Sequence, residues 1–379
     1  MTQIPRFGLL LVLMCSMFPL CMYGEECTSK QLPDSTLELS GNWFNQLSQC
    51  NFRINDPRIK YPRFVNFCRT VYNWGDTTFN RYDSAYVIGT GQNWKLYANS
   101  YNWHQSYAFI FHDQPVILHS KINSDLGISL NFMAVSIGYT WNVNRLITGK
   151  RDQRRIFNFS FTCALFSAEI TSWNTYGDTK LTKFGNYKNV DGSNPDIPID
   201  NMNHKAFNLN AYYFFNHNKY SQAAAYNFSK YQLKSAGSWI LGINYGRHTI
   251  AMDFEHLPPS MTDDIPDFAS KYDFSYTDYT ILGGYGYNHV LPHNWLYNVT
   301  ILPSVGYKRT EMTNTDVKKD NDFNNTISLN YQGKMSMTYN HRSLFVSATI
   351  RLDGNCYFDE SYTFFNTRCS ASAIVGVRF

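Results

Sequence analysis

The chain has 379 residues, 44% hydrophobic and 16% charged, with a formal charge of +4; this is enough apolar content to bury a core, and it excludes a disordered chain. Aromatic residues make up 17%, yet after the N-terminal stretch no run of about 18 apolar residues occurs, so a membrane would have to be crossed by strands and not by helices. No Lys/Arg cluster interleaved with aromatics offers a nucleic-acid groove, which argues against a nucleic-acid partner.

Residues 1–24 read as an export signal. Arg6, the apolar stretch Leu9 to Leu20, and Gly24 followed by Glu25 and Glu26 supply its positive, hydrophobic and cleavage regions. Neither Cys15 nor Cys21 has the setting of a lipidation site. The mature chain would keep Cys27, Cys50, Cys68, Cys163, Cys356 and Cys369 in a compartment that permits disulfides. Cys356 and Cys369 flank a presumed hairpin loop and are candidates for a bridge across it, whereas the pairing among Cys27, Cys50 and Cys68 stays open. Cys163 sits on an apolar strand face and reads as a small buried hydrophobe. No His/Cys cluster has metal spacing, and no cofactor is expected.

Residues 25–92 are expected to form a partly helical periplasmic segment. Leu39, Trp43 and Leu47 recur at helical spacing, and after Pro62 the residues Phe64, Phe67 and Val71 would line one helix face. From Trp94 onward the period is two, which predicts strands over 94–102, 104–111, 115–121, 125–142, 154–173, 206–217, 236–254, 272–289, 294–311, 324–340, 343–357 and 364–379. Residues 93–379 should therefore form an all-β, antiparallel, up-and-down transmembrane barrel of about twelve strands, with ten as the alternative.

The stretch "NKYSQAAAYNFSKYQLKSA", residues 218–236, is long for a periplasmic turn. Ala224, Phe228 and Tyr231 share a face at helical spacing, so a short amphipathic helix is expected there, and Tyr220, Phe228 and Tyr231 form a possible docking segment. The alternative is that it continues the neighbouring strands as a hairpin.

On 295–308, Trp295, Tyr297, Val299, Ile301, Val305 and Tyr307 share one face against Asn298, Thr300, Ser304 and Lys308. Tyr297 and Tyr307 lie ten residues apart, roughly 33 Å along a strand and about 25 Å along the normal of a tilted one, which matches an outer-membrane apolar band. Tyr331 with Tyr339, and Tyr276 with Tyr287, are read as further pairs of interfacial aromatics. Pro303 cannot donate to a ladder, so a bulge is expected there. Inward positions would include Asn330, Gln332, Lys334, Arg351 and Arg378, with Asp278 and Asp353 as the opposing acids. The last strand places Ala371, Ala373, Val375, Val377 and Phe379 towards lipid, and Phe379 reads as the signal recognised by the barrel-assembly machinery. Counting strands back from a periplasmic C-terminus puts 174–205, 255–271, 312–323 and 358–363 outside the cell and the 340–343 turn in the periplasm.

"FVNFCRTVYNWGDTTFNRYDSAYVIGTGQNWKLY" at 64–97, "FSFTCALFSAEI" at 159–170, "YYFFNHNKYSQAAAYNFSKYQLKSAGSWILG" at 212–242 and "LPSVGYK" at 302–308 resemble an uncharacterised outer-membrane barrel family of Gram-negative bacteria, the domain of unknown function four-four-two-one. The resemblance runs from about residue 60 to the end. It implies a cell outer membrane location and outer-membrane lipid as a neighbour, and it brings no substrate or catalytic residue.

Three functional readings follow. The polar inward faces suit a narrow channel or transport protein for small polar or anionic solutes. A barrel this small can equally be filled by its own side chains, giving a closed structural or partner-binding barrel with a periplasmic or outer-membrane protein partner. A lipid-modifying enzyme is the least supported reading, because Asn288, His289 and His341 fall in predicted turns and His104, His112 and His119 are scattered.

Overall fold

The structure, a computed structural model, describes residues 39–379 except 51–52, 93, 112–113, 133–134, 144–154, 177–178, 200–201, 256, 259–260, 262–270, 315–322 and 359–361. The export signal and Cys27 therefore lie outside the described residues. The chain divides into a unit ending at Lys60 and a unit of Tyr61–Phe379.

In the first unit, helix α1 (Trp43–Gln49) starts at Asn42, whose side chain accepts from the Asn45 amide at 2.9 Å. Leu39 precedes this helix, while Leu47 is buried. Cys50 is buried and unbridged, with the Arg58 guanidinium beside its sulfur.

The second unit opens with helix α2 (Arg63–Phe79), which begins after Pro62. A short strand β1 (Val87–Gly89) follows, and then β2 (Trp94–Phe111) enters a 15-stranded antiparallel sheet. In chain order the wall is β2, β4 (Asn123–Phe132), β5 (Val135–Asn142), β6 (Arg155–Thr162), β7 (Phe166–Tyr176) and β10 (Asn203–Phe214), continued by β12 (Ala236–Asp253), β13 (Lys271–Leu291), β14 (Trp295–Asn314), β15 (Phe323–His341), β16 (Leu344–Phe358) and β17 (Tyr362–Arg378). β17 pairs back onto β2 from Tyr362↔Phe111 to Arg378↔Lys95, closing a barrel of twelve strands. Reciprocal backbone bonds between Trp94 and Phe379, 3.0 and 3.1 Å, finish the seam. Closure leaves the twelve-stranded wall without a free edge strand, which is what a sheet in lipid requires.

The expected total of twelve stands, but its make-up differs. The runs expected at 94–102 and 104–111 are one strand, and 115–121 corresponds to β3 (Gln114–Ser120), which branches from the far half of β2 and pairs with β8 (Thr179–Phe184) and β9 (Ile197–Ile199) outside the wall. Conversely, 125–142 and 154–173 each contain a whole hairpin. These turns, at "FMAV" and "TCALF", contain none of the Gly, Pro, Asn or Asp that mark a reversal. Cys163 lies in the second turn rather than on a strand face, with its amide donating to the Phe166 carbonyl at 2.9 Å.

Outward positions along β12 to β17 are apolar and exposed, among them Ile243, Ile281, Ile301, Val305, Ile327, Ile350 and Val375. Trp239, Tyr287 and Trp295 flank this band towards the end where β2 begins and β17 finishes, hereafter the terminal end, and Tyr307 and Phe358 flank it towards the other. Two expectations need correction. Tyr276 is buried in the interior and shares no face with Tyr287, because eleven positions along an unbroken period-two strand reverse the side. No bulge occurs at Pro303, since the register with β13 and β15 is constant on both sides of it; the β13 ladder instead lapses at Gly283 and Gly284 opposite Leu302 and Pro303. Gly284 has to be a glycine, because a Cβ there would lie 2.0 Å from the Ile301 carbonyl oxygen.

Cys356 and Cys369 are free. Cys356 pairs with Phe365 and Cys369 with Leu352, an offset of four residues or roughly 13 Å, well beyond bridging distance. Alkylation of the denatured, unreduced protein should label both cysteines; a peptide containing both, linked by a disulfide, would contradict this register.

Candidate functional site in the barrel lumen

The described lumen is filled in three layers. At the terminal end, the connection between β10 and β12 turns inward. Tyr220 is fully buried, and Ser221 caps a five-residue helix α3 (Gln222–Tyr226), its hydroxyl accepting from the Ala224 amide at 3.2 Å. The alanines Ala223–Ala225 are buried and small enough to let the helix lie against the wall. The helix is shorter than expected. Phe228 takes φ 60°, in the left-handed region, which ends the helix. Tyr231 then belongs to β11 (Lys230–Gln232), which pairs with β1. The segment is thus part helix and part strand, and it does not extend the neighbouring wall strands.

A buried carbonyl outside regular structure needs a donor, and the wall supplies one to five carbonyls of this plug. Asn288 donates to the Ser221 carbonyl at 3.0 Å, Thr338 to that of Ala225 at 3.2 Å, Lys95 to that of Asn227 at 2.6 Å, Arg378 to that of Phe228 at 2.8 Å and Asn340 to that of Lys230 at 3.2 Å. Asn298 donates to Tyr220 at 3.2 Å and accepts from Tyr226 at 2.6 Å and Thr300 at 3.1 Å. Asn288 is therefore a lumen residue, not part of a turn. Phe228 is buried and stacks on Phe345 at 4.7 Å with Tyr97 at its edge, while Tyr231 donates to the Arg342 carbonyl at 3.1 Å. Burial holds the Lys230 ammonium below its ordinary value, with Asp76 acting in the other direction.

The second layer is ionic. Glu169 on β7 accepts from Lys334 at 2.8 Å and from Arg351 at 3.2 Å, and Arg351 also binds Asp353 at 2.7 Å. Tyr212 donates to Gln332 at 2.8 Å, and Gln332 donates to Asn210 at 3.2 Å. Further along, Lys308 faces Asp278 at 3.6 Å over the ring of Tyr276, and Asp278 accepts from Ser328 at 3.0 Å and Asn330 at 2.7 Å. Ser304 is buried on the same inner face of β14. Glu169, which the sequence reading did not include, joins Asp278 and Asp353 as a third acid opposite these cations.

The third layer closes the far end. Tyr107 and Asn208 hydrogen-bond the pair His204 and His248, whose rings are 3.1 Å apart through nitrogen. Arg368 lies between Trp103 and Trp173, 4.7 and 4.5 Å from their ring centres. Beyond them Phe109, Leu118, Leu181, Phe274, Tyr357 and Phe364 form a buried apolar cap to which the β3–β8–β9 extension contributes. Among the described residues neither histidine hydrogen-bonds a serine or a carboxylate. Of the histidines singled out earlier, His104 and His119 stack on each other, His289 and His341 sit at the terminal end, and His112 lies outside the described residues.

Beside the plug a cavity of about 180 Å³ remains, lined by Tyr97, Asn99, Tyr101, Ser129, Thr140, Asn158, Ser160 and Ser372. Among the described residues no group of three His, Cys, Asp or Glu side chains could hold a metal. Phe379 ends the seam strand and is partly buried.

No curated protein matches the chain. Among solved structures, the outer-membrane protease OmpT of Escherichia coli is similar over 76% of this chain and 97% of its own, at 9% identity and a TM-score of 0.33. Ail, the attachment invasion locus protein of Yersinia pestis, in complex with the heparin analogue sucrose octasulfate, is similar over 74% and 98%, at 8% identity and a TM-score of 0.25. For the translocator domain of the autotransporter NalP of Neisseria meningitidis the values are 83%, 95%, 8% and 0.29. A closed wall with an apolar outer band and a polar, filled interior is an outer-membrane type of barrel, and the sequence pattern that accompanies it, from residue 81 to 379, is that of the family described as Domain of unknown function (DUF4421), to which the chain belongs.

Proposed function

We propose that this protein is a closed outer-membrane barrel whose working surfaces are its two rims, with the terminal end facing the periplasm. The observation that carries this reading is the succession of plug, ion-pair layer and apolar cap across one lumen. The plug carbonyls take donors from the wall and the ionic layer pairs its charges internally, so both layers are held in place by the protein's own groups. In a planar bilayer the purified protein should give no steady single-channel current. A variant in which residues 218–234 are replaced by a short Gly/Ser turn should stay closed as well, because the ion-pair layer and the apolar cap remain. Steady current from the unaltered protein would overturn the closed reading.

A channel for small polar solutes is the second reading, and the cavity lined by Tyr97, Asn99 and Thr140 is what favours it. Two polar atoms there, Asn99 Oδ1 and Thr140 Oγ1, have no hydrogen-bond partner. If that path conducts, Asn99→Leu should reduce the current, and an unchanged current would exclude the cavity as the route.

A further inference from the structure

Helix α2 leaves an apolar stripe uncovered. Phe64, Phe67, Val71 and Trp74 follow one another at helical spacing on one side and are 75%, 65%, 48% and 61% exposed. Asn66, Thr70, Asn73 and Thr77 occupy the neighbouring polar side, where Thr70 and Thr77 hydroxyls donate to the carbonyls of Asn66 and Asn73 at 2.9 Å each. A stripe of this size facing water would be costly, so its cover has to be identified.

The position of the helix identifies it. The Phe79 carbonyl accepts from the amide of Leu165, in the β6–β7 turn at the terminal rim, at 3.1 Å. A chain of rings continues from there: Trp74 meets Phe79 at 5.4 Å, Phe79 meets Phe166 at 5.7 Å, and Phe166 meets Phe161 at 5.5 Å. Phe161 and Phe166 lie on the outward faces of β6 and β7, opposite to the inward Ser160 and Ser167. The apolar stripe is therefore continuous with the lipid-facing wall, at the end where Trp239, Tyr287 and Trp295 mark the band's border. Arg63, Arg69 and Arg81 against Asp76 give residues 61–81 a positive balance, which suits an anionic headgroup region.

We propose that α2 is an interfacial helix, lying in the plane of the phospholipid leaflet at the terminal rim with Phe64, Phe67, Val71 and Trp74 immersed. The barrel would then be held by a closed wall and also by a flat aromatic foot beside it. Such helices sink about 5–10 Å into the boundary between headgroups and chains.

The test uses the full protein refolded in vesicles of phosphatidylethanolamine and phosphatidylglycerol whose chains carry bromine at a shallow or a deep carbon. Subtracting the emission of Trp74→Phe from that of the wild type isolates Trp74, and the wall tryptophans cancel. The Trp74 component should lose more than half its intensity with shallow bromine and less with deep bromine. Phe67→Asp should abolish that quenching while the folded, heat-modifiable barrel is kept. A Trp74 component unaffected by either lipid would overturn the proposal, because the stripe would then be covered by water, a second copy or residues 25–60. Quenching that survives in Phe67→Asp would overturn it as well.

Discussion

Glu169→Gln should destabilise the folded barrel by about 3 kcal/mol, the lower end of the range for removing one partner from a buried ion-pair network. The carboxylate holds Lys334 at 2.8 Å and Arg351 at 3.2 Å, and with it gone Arg351 keeps only Asp353. The estimate stays low because Arg351 and Asp353 are 28% and 27% exposed, and screening weakens what they lose. The companion experiment is Glu169→Leu with Lys334→Met, which removes one charge of each sign and leaves the Arg351–Asp353 pair. This double variant should be more stable than Glu169→Gln alone, a non-additivity that denaturant midpoints of the detergent-solubilised barrel would read directly. Additive losses would mean that Lys334 does not depend on Glu169.

The second large effect concerns Phe228. Phe228→Ala should cost about 4 kcal/mol, because the ring fills a buried site against Phe345 and Tyr97. Phe228→Gly removes the same ring and should nevertheless cost roughly 1 kcal/mol less than alanine, because φ is 60° and glycine alone adopts that conformation without strain. In most buried positions the order is the reverse. The two thermal midpoints, followed by the loss of heat-modifiable mobility, decide the matter. Glycine falling below alanine would show that the plug's turn is not held in the left-handed region.

Most of the wall was legible because period two is a strong signal where one face meets lipid: on β14 to β17 nearly every outward residue is apolar and nearly every inward one polar. The legibility failed where a hairpin had no turn residues. Read as one strand, 154–173 puts Glu169 on the same odd-numbered face as Phe157, Phe159 and Phe161, a carboxylate directed at lipid. The turn at Cys163, Ala164 and Leu165 reverses the parity, and Glu169 faces Lys334 inside. That misplaced acid was the available clue to the hidden turn. The plug was harder to read. Its length and its Ala-rich middle pointed to a helix, but the left-handed Phe228 follows from packing against Phe345, a contact between residues far apart in the chain. The histidine pair and Arg368 were missed for a similar reason, since His204, His248, Trp103 and Trp173 lie on four different strands.

The two cations that grip the plug come from opposite ends of the wall. Lys95 belongs to the first wall strand and Arg378 to the last, and they hold the consecutive carbonyls of Asn227 and Phe228. Both carbonyls have their donors at once only when β2 and β17 stand side by side, as they do along the closed seam. The plug can seat fully only after the seam has closed. Full docking of the plug is thus tied to the completed cylinder, and a sheet lacking either seam strand would leave one of the two carbonyls without its cation.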